Sequence, residues 1–478
     1  MSIIHQWNKV IPKAGEIRDA MLAIAEEYPV AAADIAHPRF HFTIPARYMM
    51  DVWGVIYYQE AYHMFYMLDP YNNKASWVHG NGQAKSKNLI DWEYMPIAIL
   101  PDSRANEIRV NDGFVALDEN QTPFMMYTRV FDDEGLRPFE HLGVTGSKDM
   151  CVWTRDEDNP ILTLSMGGTP DFFVGSWSDP YLFETDGRKF MIMAHCKRED
   201  GSRFIPIYES VNGNLRKWEY RGIFFEQSGE VVNFVPCGDG KWLLTFSVWR
   251  EPEWFVGTFD TATLEFKAEK HGILSLGYHD EFSRGFYAPN LFLDNSGRIT
   301  ALGWVHGFPS AKGWDGCCSL PRHLIWDGER IRMVPHPVVE ELHTGISDEG
   351  VRDGDTYRFE GYDGCADCNF VVKVNESGTV SISIKGNDAV PMQITYVDEK
   401  LTVNGVEYAL PSYAGKEFDL RMIIDRSVYE IFVENGRTSI TVCAEGVCDP
   451  CEIVMECVNA EVHSAQVYKM RDMKYDSI

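Results

Sequence analysis

The chain has 478 residues, a formal charge of −27, 24% charged residues and 45% hydrophobic ones. That is chain enough for two or three domains of roughly 100–200 residues each, with a globular and not a disordered composition. An acidic surface repels phosphate backbones and no apolar run nears the roughly 18 residues of a membrane span, so nucleic acid and membrane are both excluded as partners.

At the N-terminus the periodicity predicts one helix, about Glu16 to Glu27, with Ile17, Met21, Leu22 and Ile24 on one face. It reads as an accessory segment covering residues 1–36. The first 30 residues lack the basic start and apolar core of a secretory leader. An odd count of 11 cysteines reads as reduced thiols. Both point to the cytoplasm.

From residue 37 to 337 one pattern occurs five times: an apolar strand, a tight polar turn, a second apolar strand. The second strands are Tyr62–Met67, Pro123–Thr128, Lys189–Ala194, Lys241–Phe246 and Arg298–Gly303, starting 61, 66, 52 and 57 residues apart. The turns before them, such as Thr185-Asp-Gly-Arg188 and Gly238-Asp-Gly240, tolerate positive φ and suit hairpins. Each interval holds one four-stranded sheet, and five such sheets set radially make a five-bladed β-propeller. A β-sandwich also offers hairpins, but not easily five in phase.

After Pro335-His336-Pro337 the period breaks. Shorter alternating strands follow from about residue 350 to 478: Asn369–Val374, Thr379–Ile384, Asp419–Ile424, Val428–Val433 and Ala460–Ala465. They predict a C-terminal β-sandwich, so the whole chain is all-β. Two C-x-x-C pairs in this region, Cys365/Cys368 and Cys448/Cys451, have the spacing of a zinc site but no supporting histidine. They read as coincidence, and neither a metal nor a cofactor is expected.

The first strand of each blade lines a propeller's channel, so residues at one offset before each hairpin share one funnel. Counting back from the second strands places Asp51, Asp179 and Glu230 at that phase, 11, 10 and 11 residues ahead. The other two blades offer Asn111 or Asp112, and Tyr287. Acidic residues are common here and turn caps could produce such matches. Gathered carboxylates, however, cannot all keep ordinary pKa values, and one protonated acid beside one ionised acid is what glycosidic cleavage requires.

Around these acids the chain resembles glycoside hydrolase family 32, the invertases, inulinases and levanases. His41-Phe-Thr-Ile-Pro-Ala-Arg-Tyr-Met-Met-Asp51-Val-Trp-Gly54 is similar to H-F-x-P-x-x-x-W-M-N-D-P-N-G, Trp177-Ser-Asp179-Pro180 to the block holding R-D-P, and Glu230-Val-Val-Asn-Phe-Val-Pro236 to E-C-P-D-x-F-P. Further similar blocks are Ser86–Trp92, Ser147–Asp149, Gly285–Pro289, Gly313–Arg322 and Leu420–Phe432, so the resemblance spans about residues 37–470. It implies a propeller plus sandwich, with Asp51 as nucleophile, Asp179 as transition-state stabiliser and Glu230 as general acid/base. It also implies a retaining glycosidase that cleaves a β-fructofuranoside or a related furanoside in a small oligosaccharide, or a transferase using the same residues. Asp425, Arg426 and Glu430 are implied to be structural.

The departures concern the sugar pocket. Met50, Val52 and Trp53 replace Asn, Pro and Asn; Met67 replaces a Gln; Asn111-Asp112-Gly113-Phe114 replaces F-S-G-S. Ser178 replaces the Arg of R-D-P, and Val231 replaces a Cys. Most of these remove hydrogen-bonding groups or add bulk, which predicts weakened sucrose binding and leaves a disabled, sugar-binding scaffold as the rival reading. The expected substrate-binding set is Trp53, Trp77, Met67, Asp112, Ser178 and Tyr287. The two tryptophans are read equally as stacking platforms or as packing, while His63, His195 and His306 are read as core or rim histidines.

Overall fold

The structure is a computed structural model. It describes residues 2–475 apart from 75–78, 132–138, 172, 174–176, 278–284, 387–389 and 411–416.

Five sheets follow one another along the chain from Arg47 to Pro335. Their inner strands are Arg47–Tyr58, Glu107–Leu117, Ser178–Thr185, Glu230–Gly238 and Gly285–Leu293. Each contacts the next and the fifth contacts the first, which closes a five-bladed propeller. The second strands lie within a few residues of the predicted spans, at Ala61–Asp69, Pro123–Phe131, Arg188–Ala194, Lys241–Ser247 and Ile299–His306. They read as unbroken apolar runs because both faces are buried. In the third blade Phe190 and Ile192 pack towards blade four while Met191 and Met193 pack towards blade two. Four apolar clusters fill the spaces between successive blades. A fifth joins blades one and five to the N-terminal helices and the C-terminal unit.

The ring is closed by a short clasp. Trp314–Asp315 adds to the first blade in parallel, pairing Arg47 with Trp314 and Tyr48 with Asp315, and the Arg47 amide donates to the Gly313 carbonyl at 2.8 Å. Two helices brace it, α1 (Ile3–Val10) and α2 (Glu16–Ala32). The prediction included only a shorter version of α2. The missed α1 is short, is capped by the Ser2 hydroxyl and buries Trp7. Beyond α2, Asp34 Oδ2 accepts from the Trp314 indole at 2.8 Å and the Lys312 amide at 2.9 Å.

The C-terminal strands form one hydrogen-bonded sheet of 11 strands. Two long strands, Cys365–Lys385 and Cys451–Met470, pair along their length and carry different neighbours at their two ends, so the sheet closes over one apolar core. The predicted break between Val374 and Thr379 is absent; those residues continue a single strand across a register shift. The unit is fastened to the propeller by buried charge. His41 Nδ1 lies 2.8 Å from Asp425 and Nε2 3.3 Å from Glu430, while Arg322 reaches Glu430 at 3.2 Å, and all four side chains are fully buried.

Candidate active site

The five inner strands share one irregularity. Each loses register with its partner at the same end of the blade: after Met49, after Val110, next to Ser178, after Glu230 and after Tyr287. A bulge frees backbone groups from the ladder and re-aims a side chain, and here the freed groups are satisfied by the neighbouring blade. The Asp179 amide donates to Thr128 Oγ1 at 3.2 Å, the Val231 amide to Asp179 Oδ2 at 3.2 Å, and the Ala288 amide to Ser247 Oγ at 3.2 Å. Asn290 reaches back to the Trp53 carbonyl at 3.0 Å. Asp179, Val231 and Ala288 take left-handed φ values of 52°, 48° and 45°, strain concentrated where the funnel opens.

The bulges bring together Asp51, Asp112, Asp179, Glu230 and Tyr287. Burial first, and then the charges of Glu230 and Asp179, hold the Asp51 carboxyl well above the usual carboxylate range. Asp112 is raised likewise, by burial and by Asp179, Asp51 and Glu230. Asp51 Oδ1 and Asp112 Oδ1 are buried acceptors without a hydrogen-bond partner, a costly state that a ligand hydroxyl would relieve.

His195 holds the third carboxylate in the opposite state. Its Nε2 lies 3.2 Å from Glu230 Oε1 and 3.4 Å from Asp179 Oδ2. Burial alone would lower the imidazole, but the two carboxylates push it up to about 10, so it is a cation at neutral pH. Burial likewise works against an ionised Asp179, yet the bond and charge of His195, with the Val231 amide, keep that carboxyl below its usual range. Reading His195 as a structural histidine is therefore corrected. Its signal lay in the hairpin register: Ala194 pairs with Ser178, so the next residue emerges at the catalytic end. His63 and His306 are lowered to about 4 by burial and stay neutral, and His306 stacks on Trp304 at 4.0 Å.

Tyr287 donates to Glu230 Oε2 at 2.7 Å and accepts from the Trp249 amide at 2.9 Å. The acid/base candidate is thus gripped on one oxygen by a phenol and on the other by an imidazolium. Ser178 is buried at the start of its strand, beside Asp179. Met67 and Met50 pack with Tyr48, Val231, Tyr287 and Trp304 in an apolar wall beside the acids. Trp53 is only 2% exposed and its ring lies against Phe65 at 5.5 Å, so it packs and forms no platform at the mouth. Trp77 lies outside the described residues. Trp249, 54% exposed, went unnoticed because it stands in a loop beyond the counted phase. The four C-x-x-C cysteines are buried and in no disulfide, and form no group able to hold a metal among the described residues.

This arrangement sets an ionisable nucleophile candidate, a proton carrier and a fixed anion together at one end of the five inner strands. Residues 41–337 match the glycosyl hydrolases family 32 N-terminal domain. A levanase of Bacillus subtilis (strain 168) is 26% identical over 84% of this chain, which spans 65% of the levanase. A sucrose-6-phosphate hydrolase of Escherichia coli is 23% identical over 84% of this chain and 87% of its own length. The structure of the Bombyx mori GH32 beta-fructofuranosidase BmSUC1 superposes with a TM-score of 0.79 at 21% identity, covering 96% of this chain and 98% of that one. With the profile matching well over half of its residues, the chain belongs to glycosyl hydrolase family 32.

Proposed function

We propose that the protein is a β-fructofuranosidase that hydrolyses a small fructose-containing oligosaccharide with retention of configuration. The observation that carries this reading is the convergence of Asp51, Asp179 and Glu230 on one funnel, with the Asp51 carboxyl raised and the Asp179 carboxyl lowered. Asp51 would attack the anomeric carbon as Glu230 takes a proton from the adjoining His195 imidazolium and passes it to the leaving oxygen; Glu230 would then take a proton from the water that releases fructose. Asp179, held ionised by His195, would face the positive charge developing on the ring. Names of the relatives support a fructoside as substrate, and eleven cysteines outside any disulfide support residence in the cytoplasm.

The test is incubation of native protein, Asp51→Asn and Glu230→Gln with sucrose, kestose, inulin and levan. Product anomers are followed by NMR before they mutarotate. The expected result is β-fructose from the native protein and a loss of at least about a thousandfold in both variants. An α-anomer first would overturn retention, and fructosyl-extended sugars would establish a transferase. Because Asp51 must be ionised to attack and its pKa is raised, activity should disappear on acidification earlier than for an ordinary carboxylate. Sugar binding without turnover anywhere on the panel would leave the rival reading, a binding protein built on this scaffold.

A further inference from the structure

On the Glu230 side of the funnel stands an aromatic group that the chemistry above does not use. Trp249 lies just beyond the strand Lys241–Ser247, whose last residue pairs with Glu230, so it emerges at the catalytic end of blade four. Its backbone is left-handed, with φ 59°, an unfavourable state for a large side chain that surrounding structure must hold. Its amide donates to the Tyr287 hydroxyl at 2.9 Å, and its indole stacks on the Tyr287 ring with centroids 5.5 Å apart and planes 26° from parallel. Tyr287 in turn donates to Glu230 at 2.7 Å. The indole nonetheless remains 54% exposed, the most exposed of the described tryptophans that rank as buried core or open surface.

We propose that Trp249 is the platform of the leaving-group subsite, taking the ring of the sugar unit that Glu230 protonates. Several observations converge on this. The acid that delivers the proton is fixed by Tyr287, so the departing oxygen must lie near that hydroxyl, and the group attached to it emerges beside the indole that lies against the same phenol. A rigid, flat indole presents a broad apolar surface at small conformational cost, which suits the C–H face of a pyranose or furanose ring. Strain at the Trp249 backbone, and the bond from its amide to Tyr287, place that surface with little freedom to drift. The ligand class is therefore a neutral sugar ring in the leaving-group position.

This inference rests on the proposed function, and the experiment separates the two. Binding of sucrose and of free fructose is measured by titration calorimetry on Glu230→Gln, with and without Trp249→Ala and Trp249→Phe, so that turnover plays no part. Trp249→Ala should weaken sucrose about five- to thirtyfold, as truncation of a central aromatic does. Fructose, which ends at the glycosyl pocket, should change by a much smaller factor, and Trp249→Phe should recover most of the sucrose affinity. Equal weakening of both sugars, or of neither, overturns the platform while leaving the fructosidase reading intact. Fructose binding to the Glu230→Gln protein without sucrose binding would overturn the platform alone, and failure of fructose, sucrose and kestose alike to bind would overturn the fructosidase reading. Circular dichroism of each variant guards against misfolding; if Trp249→Ala is unfolded, the Trp249→Phe and Trp249→Leu pair decides, since only the phenylalanine keeps a flat ring.

Discussion

One imidazole keeps Asp179 ionised among the acids of the site. His195 stands between Asp179 and Glu230, and this chain has Ser178 where the motif it resembles has an arginine. The positive charge at the site has thus moved from the residue before Asp179 to the opposite strand of the same hairpin. His195→Gln keeps a donor but removes the charge; kcat/KM should fall roughly a hundredfold, as for a displaced catalytic group. His195→Lys should recover part of the loss, a response that a purely structural role would not give. Asp112 behaves differently. Burial and three neighbouring acids raise its carboxyl well above the usual range, which favours a hydroxyl-bearing acid over an anion. Asp112→Asn, which matches that neutral shape, should keep activity within about tenfold, whereas Asp51→Asn should abolish it. Steady-state kinetics on any turned-over fructoside checks both.

At the scale of the strand, the bulge is the device that makes the site, and glycine permits it at two of the acids. A Cβ on Gly229 would lie 2.0 Å from the Ser247 carbonyl oxygen, and one on Gly113 would lie 1.8 Å from that of Met126. Gly229→Ala should therefore push the Glu230 strand off its partner, costing about 1–3 kcal/mol by denaturant unfolding and lowering kcat/KM with every reacting atom present. The hairpins themselves were legible because the second strands are apolar on both faces, a run that cannot be mistaken for an exposed segment. The acids were legible as a phase, since strands of equal length in radial sheets put equal offsets at equal depth. His195 and Trp249 were not, because they sit past the ends of strands, where their direction depends on a register slip and on a left-handed backbone that no periodicity encodes. Trp53 misled for the same reason: two slips between Met49 and Gly54 turn it from the mouth into the core. The long strand Cys365–Lys385 misled differently, since Asn375 to Gly378 reads as a turn but is bridged by its long partner.

Across the whole molecule, the propeller and the C-terminal unit are joined by fully buried ions. Burial would deprotonate His41, but Asp425 and Glu430 prevail and raise it to about 9, while both carboxyls are held low despite their own burial. A histidine raised above its unfolded value of about 6.5 contributes its full stability below that pH and loses it as pH climbs through about 9. The two carboxylates act in the opposite sense, losing their contribution as the solution becomes acidic. Thermal unfolding followed from pH 6 to 10 should thus show a fall in Tm centred on the upper part of that range. His41→Ala, which strands two buried anions beside Arg322, should cost about 3–5 kcal/mol and remove the alkaline fall. The clasp has a consequence for how the molecule comes to exist. Asp51, Asp112, Asp179 and Glu230 are all synthesised before the two residues that lock Arg47 and Tyr48 in place. A nascent chain ending short of Trp314 therefore holds every acid of the site on an open arc, where the first and last blades have no shared edge. Hydrolytic competence then arrives late in synthesis, when the final link is threaded beside the first strand and four separate acids become one.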